Sequence, residues 1–368
     1  MQDGNVVVIG GGYAGVRLAK QLDATARVTL VDRKEVFFHR IASLRAGVRP
    51  DWTATPFIPY DRLLRNGRVV VGEAAGIDTV ERHVTLATGE RLPYDVLVLA
   101  TGADYPAPAR FIGTTPDEAA KSFAEHQQRV AAAGHVLVVG GGPSGVELGA
   151  EIRLARPDAR VTLTHSGPEL LHSTGSARAG RRARAWLEAH EVDVRLNTFM
   201  SPGKDFGTYR DANGTVLAAD LSFWATGTTP NTLWLRQAGH GDWLNRTGHV
   251  KVDSMLRVAG RSDVFAVGDV NDVAELKVTP AAIAQAQVAA HNIDICLSMS
   301  GKRGKRPRLY RAVRTPLIVP FGSADGVTIV PVPGGDTAVL GTRTTTVAKA
   351  KTLMTPFMRR QLGYTGPR

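Results

Sequence analysis

The chain has 368 residues, 43% hydrophobic and 21% charged, with 39 Gly and 20 Pro. That is long enough for two or three domains with a sizeable core, and too apolar for a largely disordered chain. Its net charge of +11 is uneven: from Lys302 onward thirteen bases face only Asp325 and Asp336, so the first 301 residues balance at 32 bases and 32 acids. A neutral body with a basic end points either to one anionic contact, such as a membrane, a nucleic acid or a phosphorylated cosubstrate, or to a merely solubilising end.

Residue 2 is Gln, and the first apolar run begins at Val6 with no basic or long apolar stretch before it. Neither a signal peptide nor an N-myristoyl site is expected. No window approaches 18 uninterrupted apolar residues, so no membrane span is predicted. The single cysteine, Cys296, cannot close an intrachain disulfide, and there is no Cys-x-x-Cys pair for zinc or dithiol chemistry, so no metal site is predicted. These features fit a reducing, cytoplasmic location, with peripheral contact to the inner membrane face left open. Ile293, Ile295 and Leu297 around Cys296 predict a buried helical position.

In chain order, the first unit reads VVVIGGGYAGVRLAKQLDATARVTLVD: an apolar strand, a glycine turn, a helix and a second strand. Gly10 permits the tight turn, Gly12 lets the backbone approach a pyrophosphate and Gly15 lets the helix pack on the strand. The helix N-terminus opposite Tyr13 and Ala14 suits phosphate. Asp32, 22 residues after Gly10 and followed by Arg33, is placed to accept hydrogen bonds from a ribose. LVLATG closes the unit at Ala100, Thr101 and Gly102.

About 130 residues later the pattern recurs as VLVVGGGPSGVELGAEIRLARPDARVTLTH. Gly140, Gly142 and Gly145 repeat the turn, with Pro143, Ser144 and Glu147 opening the helix. The position matching Asp32 holds His165, so no carboxylate stands there to hold a 2′-hydroxyl or repel a 2′-phosphate, and NADPH is admissible beside NADH. FWATG, ending at Gly227, closes this copy. Two unequal dinucleotide sites imply electron transfer between two cofactors. VFAVGDV then delivers Asp269 to a turn, where its carboxylate can bind a sugar-alcohol chain. In Thr279-Pro280-Ala281-Ala282, Thr279 is a plausible N-cap and Pro280 the first residue of a helix running through Asn292.

GGGYAG with Asp32, LATG, GGGPSGVE, ATG and VGD, in this order over residues 5–300, resemble the two-dinucleotide-domain flavoprotein reductases of the pyridine nucleotide-disulfide oxidoreductase type. FFHRIASLRA, VTLTHS and TPLIVPFGSADGV are most similar to the apoptosis-inducing-factor-like branch with the ferroptosis suppressor proteins, itself similar to type II NADH:quinone reductases. The resemblance implies an α/β fold of two Rossmann-like domains: an FAD domain of residues 1–107 and 230–301, an inserted NAD(P) domain of 108–229 and a small α+β segment, 302–368. DYPAPA and TTPN read as hinges. It implies FAD with NADH or NADPH, and on the FAD His39, Arg40, Arg45 toward the pyrophosphate, and Ala74 at the adenine. Pro280 and Ala281 would aim a helix N-terminus at the flavin.

The resemblance also nominates Glu147 to orient the nicotinamide or relay a proton, Lys349 to partner it, and Gln285 on the acceptor side, with buried amide packing as the alternative for Gln285. Disulfide-reducing members carry a Cys pair beside the flavin; Val36 to Arg45 has no cysteine, so electrons must leave the flavin directly. The expected activity is NAD(P)H-driven reduction of a quinone or similar small aromatic acceptor. An iron–sulfur partner or a dedicated biosynthetic reaction is the alternative, and a nucleotide-sensing, nucleic-acid-binding role is disfavoured because Tyr310 alone supplies an aromatic in the basic run Lys302 to Arg314. Thr346 to Leu362 reads as amphipathic and broken at Pro356, with an apolar side for a membrane, the flavin or a homodimer seam.

Overall fold

The computed structural model describes residues 4–298, 306–312 and 314–365. Gly301, Lys302, Arg303, Gly304, Lys305 and Val313 of the predicted basic loop lie outside them, as do residues 1–3.

The β-branched runs form two parallel sheets. In the first, strands run in the order Val264–Ala266, Val96–Leu99, Asn5–Ile9, Arg27–Asp32 and Arg68–Val71, with Val8 opposite Leu30 on one side and Val98 on the other. In the second the order is Val192–Arg195, Arg160–Thr164, His135–Val139 and Leu221–Trp224. Strands covered on both faces read as continuous apolar runs, which is why VVVI, VLVL and VLVV carry no polar alternation. The chain leaves the first domain beside Ala103–Asp104 and returns at Thr229–Pro230, and these two short strands pair antiparallel.

The helix Tyr13–Leu22 packs on the first sheet and against the helix Thr279–Leu297. The long helix presents Ala282, Ala286, Ala289 and Ala290 to this contact, small side chains that let two backbones approach closely. Its cap differs from expectation. Val278 is the N-cap, and Thr279 and Pro280 are the first two helical residues; Pro needs no acceptor there. The helix also outlasts Asn292 by five residues, and Cys296 falls on its exposed side, so the predicted burial is corrected.

The C-terminal segment holds an antiparallel sheet of Leu317–Phe321, Asp325–Pro331 and Thr337–Leu340. Val319, Phe321, Val327 and Ile329 share a core with the second domain. Beyond it the amphipathic stretch is not one helix: turns at Thr342–Thr345 and Thr346–Ala350 are followed by Leu353 and Met354, both at positive φ, and then Thr355–Gln361. Pro356 sits in the first turn of that last helix, so the break lies before it, not at it. Met358 and Leu362 are buried in the first domain's core and Leu353 is buried too, so the apolar side offered to a membrane or dimer partner is spent on the chain itself. Val347 alone of that side stands out, 86% exposed. No helix among the described residues is long and apolar enough to cross a membrane.

Candidate functional site

Both glycine turns are built alike. Gly10 and Gly140 have φ of +107° and +116°, backbone conformations that favour glycine, and a side chain at either would strike the carbonyl of Ala100 or Ala225. Gly15 and Gly145 would drive a Cβ into the carbonyls of Gly10 and Gly140, so only glycine lets the helix settle on the turn. The Ala-Thr-Gly segments therefore back the turns in both copies. Gly12 and Gly142 face open space, with nothing within 4 Å of a Cβ built there.

The first turn opens onto a cavity of about 380 Å³ whose lining extends from Asp32, Arg33 and Ala74, past Gly10, Gly12, Tyr13, Ala14, Ala100, Thr101 and Gly102, to Arg40, Tyr105 and Asp269. Asp32 Oδ2 accepts from Gly11 N and, at 3.3 Å, from the Tyr60 hydroxyl; Oδ1 accepts from Lys34 N at 2.8 Å and Nζ at 2.6 Å. Burial and the Asp32 charge hold the Tyr60 hydroxyl well above its ordinary range. At the other end the Tyr105 hydroxyl donates to Asp269 Oδ2 at 2.7 Å, Arg40 lies over the Tyr105 ring at 3.9 Å, and its Nη1 is 3.9 Å from Asp269. The open face at Gly12, the unpaired first-turn N–H groups of a helix and a carboxylate at each end suit an extended dinucleotide.

Several residues nominated from sequence stand off this wall. Arg45, 1% exposed, donates from Nε to Glu151 Oε1 at 2.7 Å and from Nη1 to the Ala350 carbonyl at 2.9 Å, with Trp52 against its guanidinium. It braces three segments and does not line the cavity, whose arginines are Arg33, Arg40 and Arg110. Gln285, 1% exposed, has both amide atoms engaged: Oε1 accepts from Gly268 N and Asn271 Nδ2, both at 2.7 Å, and Nε2 donates to Glu275. It shapes the turn carrying Asp269, and the acceptor-side nomination is replaced by buried amide packing. Ala282 reaches the cavity, whereas Pro280 and Ala281 do not line it.

His39 is fully buried. Ile41 N donates to the Tyr13 hydroxyl, which donates to His39 Nδ1 at 3.0 Å, and His39 Nε2 donates to the Leu353 carbonyl at 2.8 Å. Burial brings this imidazole down to about 4 and pushes Tyr13 up to about 12, so both are neutral at pH 7. The histidine thus ties the cavity's first helix to the C-terminal segment.

Glu147 and Glu151, one turn apart on the helix Pro143–Ala155, each take a buried cation from another segment. Lys349 Nζ donates to Glu147 Oε1 at 2.7 Å and to the Ile318 carbonyl at 2.9 Å. Burial raises the Glu147 carboxyl, only partly countered by Lys349, and raises Glu151, partly countered by Arg45. The predicted Glu147–Lys349 partnership is present; Glu151, Tyr60, Lys34 and Tyr105 had not been singled out. Glu151 alone left a signal, its i+4 spacing from Glu147.

In the second copy, Gly141 N donates to His165 Nδ1 at 3.2 Å, the bond that Gly11 gives Asp32 in the first. Pro143 and Ser144 open the helix behind it, and Gly227 sits at φ +127° with open space beside it.

Residues 4–291 match the family described as pyridine nucleotide-disulphide oxidoreductase. Among characterised relatives, the chain is 32% identical to apoptosis-inducing factor homolog B of Dictyostelium discoideum, covering 95% of this chain and 94% of that protein. It is 31% identical to human ferroptosis suppressor protein 1 over 88% of this chain and 87% of that one. Its fold matches the sulfide:quinone oxidoreductase of Aquifex aeolicus, with a TM-score of 0.79, 20% identity and coverage of 97% and 91%. The NDH2 of Plasmodium falciparum, solved with NADH, gives a TM-score of 0.74 at 14% identity and coverage of 98% and 97%. The chain belongs to the pyridine nucleotide-disulphide oxidoreductase family, and its two Rossmann-like domains are those of a flavin-dependent pyridine nucleotide oxidoreductase with FAD and NAD(P)H as its cofactors.

Proposed function

We propose that this oxidoreductase takes electrons from NAD(P)H through FAD to a quinone or similar small aromatic acceptor. The observation that carries the reading is the buried Glu147–Lys349 pair. Reducing a quinone consumes two electrons and two protons, and a carboxyl raised by burial beside an ammonium is a device for holding a proton at Glu147 Oε1 or Lys349 Nζ away from water. A dithiol route lacks its second sulfur, and Cys296 is exposed on the long helix. The name of one structural relative, a sulfide:quinone oxidoreductase, agrees with this reading.

Bound FAD would supply hydride acceptance from NAD(P)H and delivery of electrons onward. The chain's own work is placement. Helix Tyr13–Leu22 would offer its N-terminus to the phosphates, with Arg33 and Arg40 on the same cavity wall. Asp32 Oδ1 would exchange Lys34 Nζ for a ribose hydroxyl, while Oδ2 keeps the turn closed through Gly11 N. Asp269, oriented by Tyr105, would hold the sugar-alcohol chain. Gly140, Gly142, Ser144 and Gly227 would receive NAD(P)H, and Glu147 would orient its nicotinamide. The basic excess after Lys302 suits an anionic membrane surface, where a lipid-soluble quinone is met.

Anaerobic stopped-flow mixing tests this. The yellow absorbance of the holoenzyme should bleach with NADH or NADPH and return within the mixing experiment on adding a short-chain quinone, and much more slowly with ferredoxin or oxygen. No bleaching with either nucleotide sinks the oxidoreductase reading; bleaching that quinones do not reverse sinks the acceptor.

A further inference from the structure

We propose that Glu275, held in turn by Tyr310, is a positioning residue for the flavin: it fixes the buried Gln285 amide in the one orientation that locks the turn carrying Asp269. The proposal rests on Asp269 holding the sugar-alcohol chain of FAD.

The orientation follows from groups that can act in one sense only. The Ala266 carbonyl can only accept, so the side-chain atom 2.9 Å from it is Asn271 Nδ2. The Gly268 N–H can only donate, so the atom facing it at 2.7 Å is Gln285 Oε1, which also accepts from Asn271 Nδ2 at 2.7 Å. These bonds close the turn Gly268–Val270, whose Gly268, at φ +80°, lines the cavity beside Asp269. Gln285 Nε2 is then turned the other way in a side chain 1% exposed, and the acceptor it meets is Glu275 Oε1 at 2.6 Å. A flipped amide would set its NH2 against two donors and its oxygen against a carboxylate. Glu275 therefore opposes the wrong orientation from one end as Gly268 does from the other.

Glu275 is itself pinned from the C-terminal segment. The Tyr310 hydroxyl lies 2.8 Å from each of its carboxylate oxygens, and burial with the Glu275 contact holds that hydroxyl above its ordinary range, so it stays a donor. The backbone before Tyr310 is strapped to the long helix and its neighbours. Asn292, 3% exposed, accepts from Arg308 N at 2.8 Å and donates to the Arg308 carbonyl at 2.9 Å, while Tyr310 N donates to the Ser254 carbonyl at 2.6 Å. An unbroken chain of hydrogen bonds thus runs from the basic strap through Tyr310, Glu275 and Gln285 to the backbone of the flavin turn.

Release of FAD from the holoenzyme, followed by the rise of free-flavin fluorescence on dilution, tests this without turnover. Glu275→Ala strands Gln285 Nε2 and should weaken FAD by about tenfold, the worth of one buried hydrogen bond. Tyr310→Phe keeps the ring and should weaken it by about threefold. Glu275→Gln can accept from Gln285 Nε2 and donate to the Tyr310 oxygen, so it should stay within about twofold of the wild type. A purely structural role would lower the urea midpoint and leave the dissociation constant of the folded protein unmoved. Glu275→Ala with wild-type affinity, or Glu275→Gln as loose as Glu275→Ala, overturns the proposal; should Glu275→Ala not fold, wild-type affinity in Tyr310→Phe overturns it instead. Asp269→Ala is the control. Unchanged FAD affinity there overturns the sugar-chain reading beneath the proposal, whereas a loss there with none in the Glu275 and Tyr310 variants overturns the positioning alone.

Discussion

The two glycine turns answer the same backbone problem and differ in what surrounds it. Both need glycine where a Cβ would meet a carbonyl, and both are backed by an Ala-Thr-Gly segment. The first is set among a network of Asp32, Lys34 and Tyr60 on the wall of a cavity; the second is closed by a neutral histidine and presents Glu147 to a lysine 202 residues later. A repeated motif therefore preserves the part of the site dictated by sterics, while the residues that act by charge diverge freely. Function in the duplicated fold is divided along that line.

The largest expected effects come from breaking each turn separately. Gly15→Ala and Gly145→Ala insert the same methyl against the same kind of carbonyl, and overpacking against backbone costs about 1–3 kcal/mol or more. Gly15→Ala should purify with its flavin affinity reduced roughly 10- to 100-fold. Gly145→Ala should stay yellow yet bleach with NAD(P)H at a rate reduced by a similar factor at subsaturating nucleotide. Flavin absorbance per chain and stopped-flow reduction measure the two quantities. If both variants lose flavin equally, the division of labour between the turns is wrong.

The second turn's helix supplies the next test. Lys349→Met leaves Glu147 buried without its cation, and breaking a buried pair in this way costs about 3–5 kcal/mol, whereas Glu147→Gln with Lys349→Met should recover most of that in urea unfolding. The double variant should nevertheless recover little acceptor turnover, because neither side chain can then hold a proton. Full recovery of turnover would reduce the pair to a structural tie.

His39 links the first turn's helix to the C-terminal segment, and its titration gives a smaller effect. Its folded value of about 4 lies below the ordinary histidine value, so the unfolded chain binds the proton first. Its contribution is complete above about pH 6.5 and is lost as pH falls toward 4, by roughly 3 kcal/mol in total. His39→Gln, able to accept from Tyr13 and donate to Leu353, should remove that part of the pH slope. Urea unfolding of both proteins at pH 7, 5.5 and 4.5 checks the difference; parallel slopes would contradict it.

What could be read from sequence follows the same division. Gly10, Gly12, Gly15 and Asp32 were legible because local geometry demands them at fixed offsets within one strand-turn-helix-strand unit, and Asp269 because the strand VFAV runs straight into its turn. Tyr60, Tyr105 and Glu151 act through partners 28 to 164 residues away, at positions that no local period marks. Arg45, nominated for the pyrophosphate by resemblance, gives Nε to Glu151 and Nη1 to the Ala350 carbonyl, partners 106 and 305 residues away that its local sequence does not mark. The apolar stripe from Leu353 to Leu362 was visible, but amphipathicity says only that a face is covered, and here Met358 and Leu362 are covered by the first domain's own core.

Cys296 gives the smallest effect and a strict check on the route of the electrons. Flanking isoleucines and leucine suggested burial, yet the helix turns the sulfur outward while Ile293 faces the core. An exposed side chain with no tight packing is replaced at a cost within about 0.5 kcal/mol, so Cys296→Ser should unfold at the wild-type urea midpoint. Its reduction by NAD(P)H and reoxidation by quinone should also match the wild type within about twofold, a rate change equivalent to only a fraction of a kcal/mol. A large loss of turnover with the flavin still bleaching normally would mean that a thiol stands between flavin and acceptor. Both turns would then feed a sulfur, and the Glu147–Lys349 pair would no longer be where the second half of the reaction is decided.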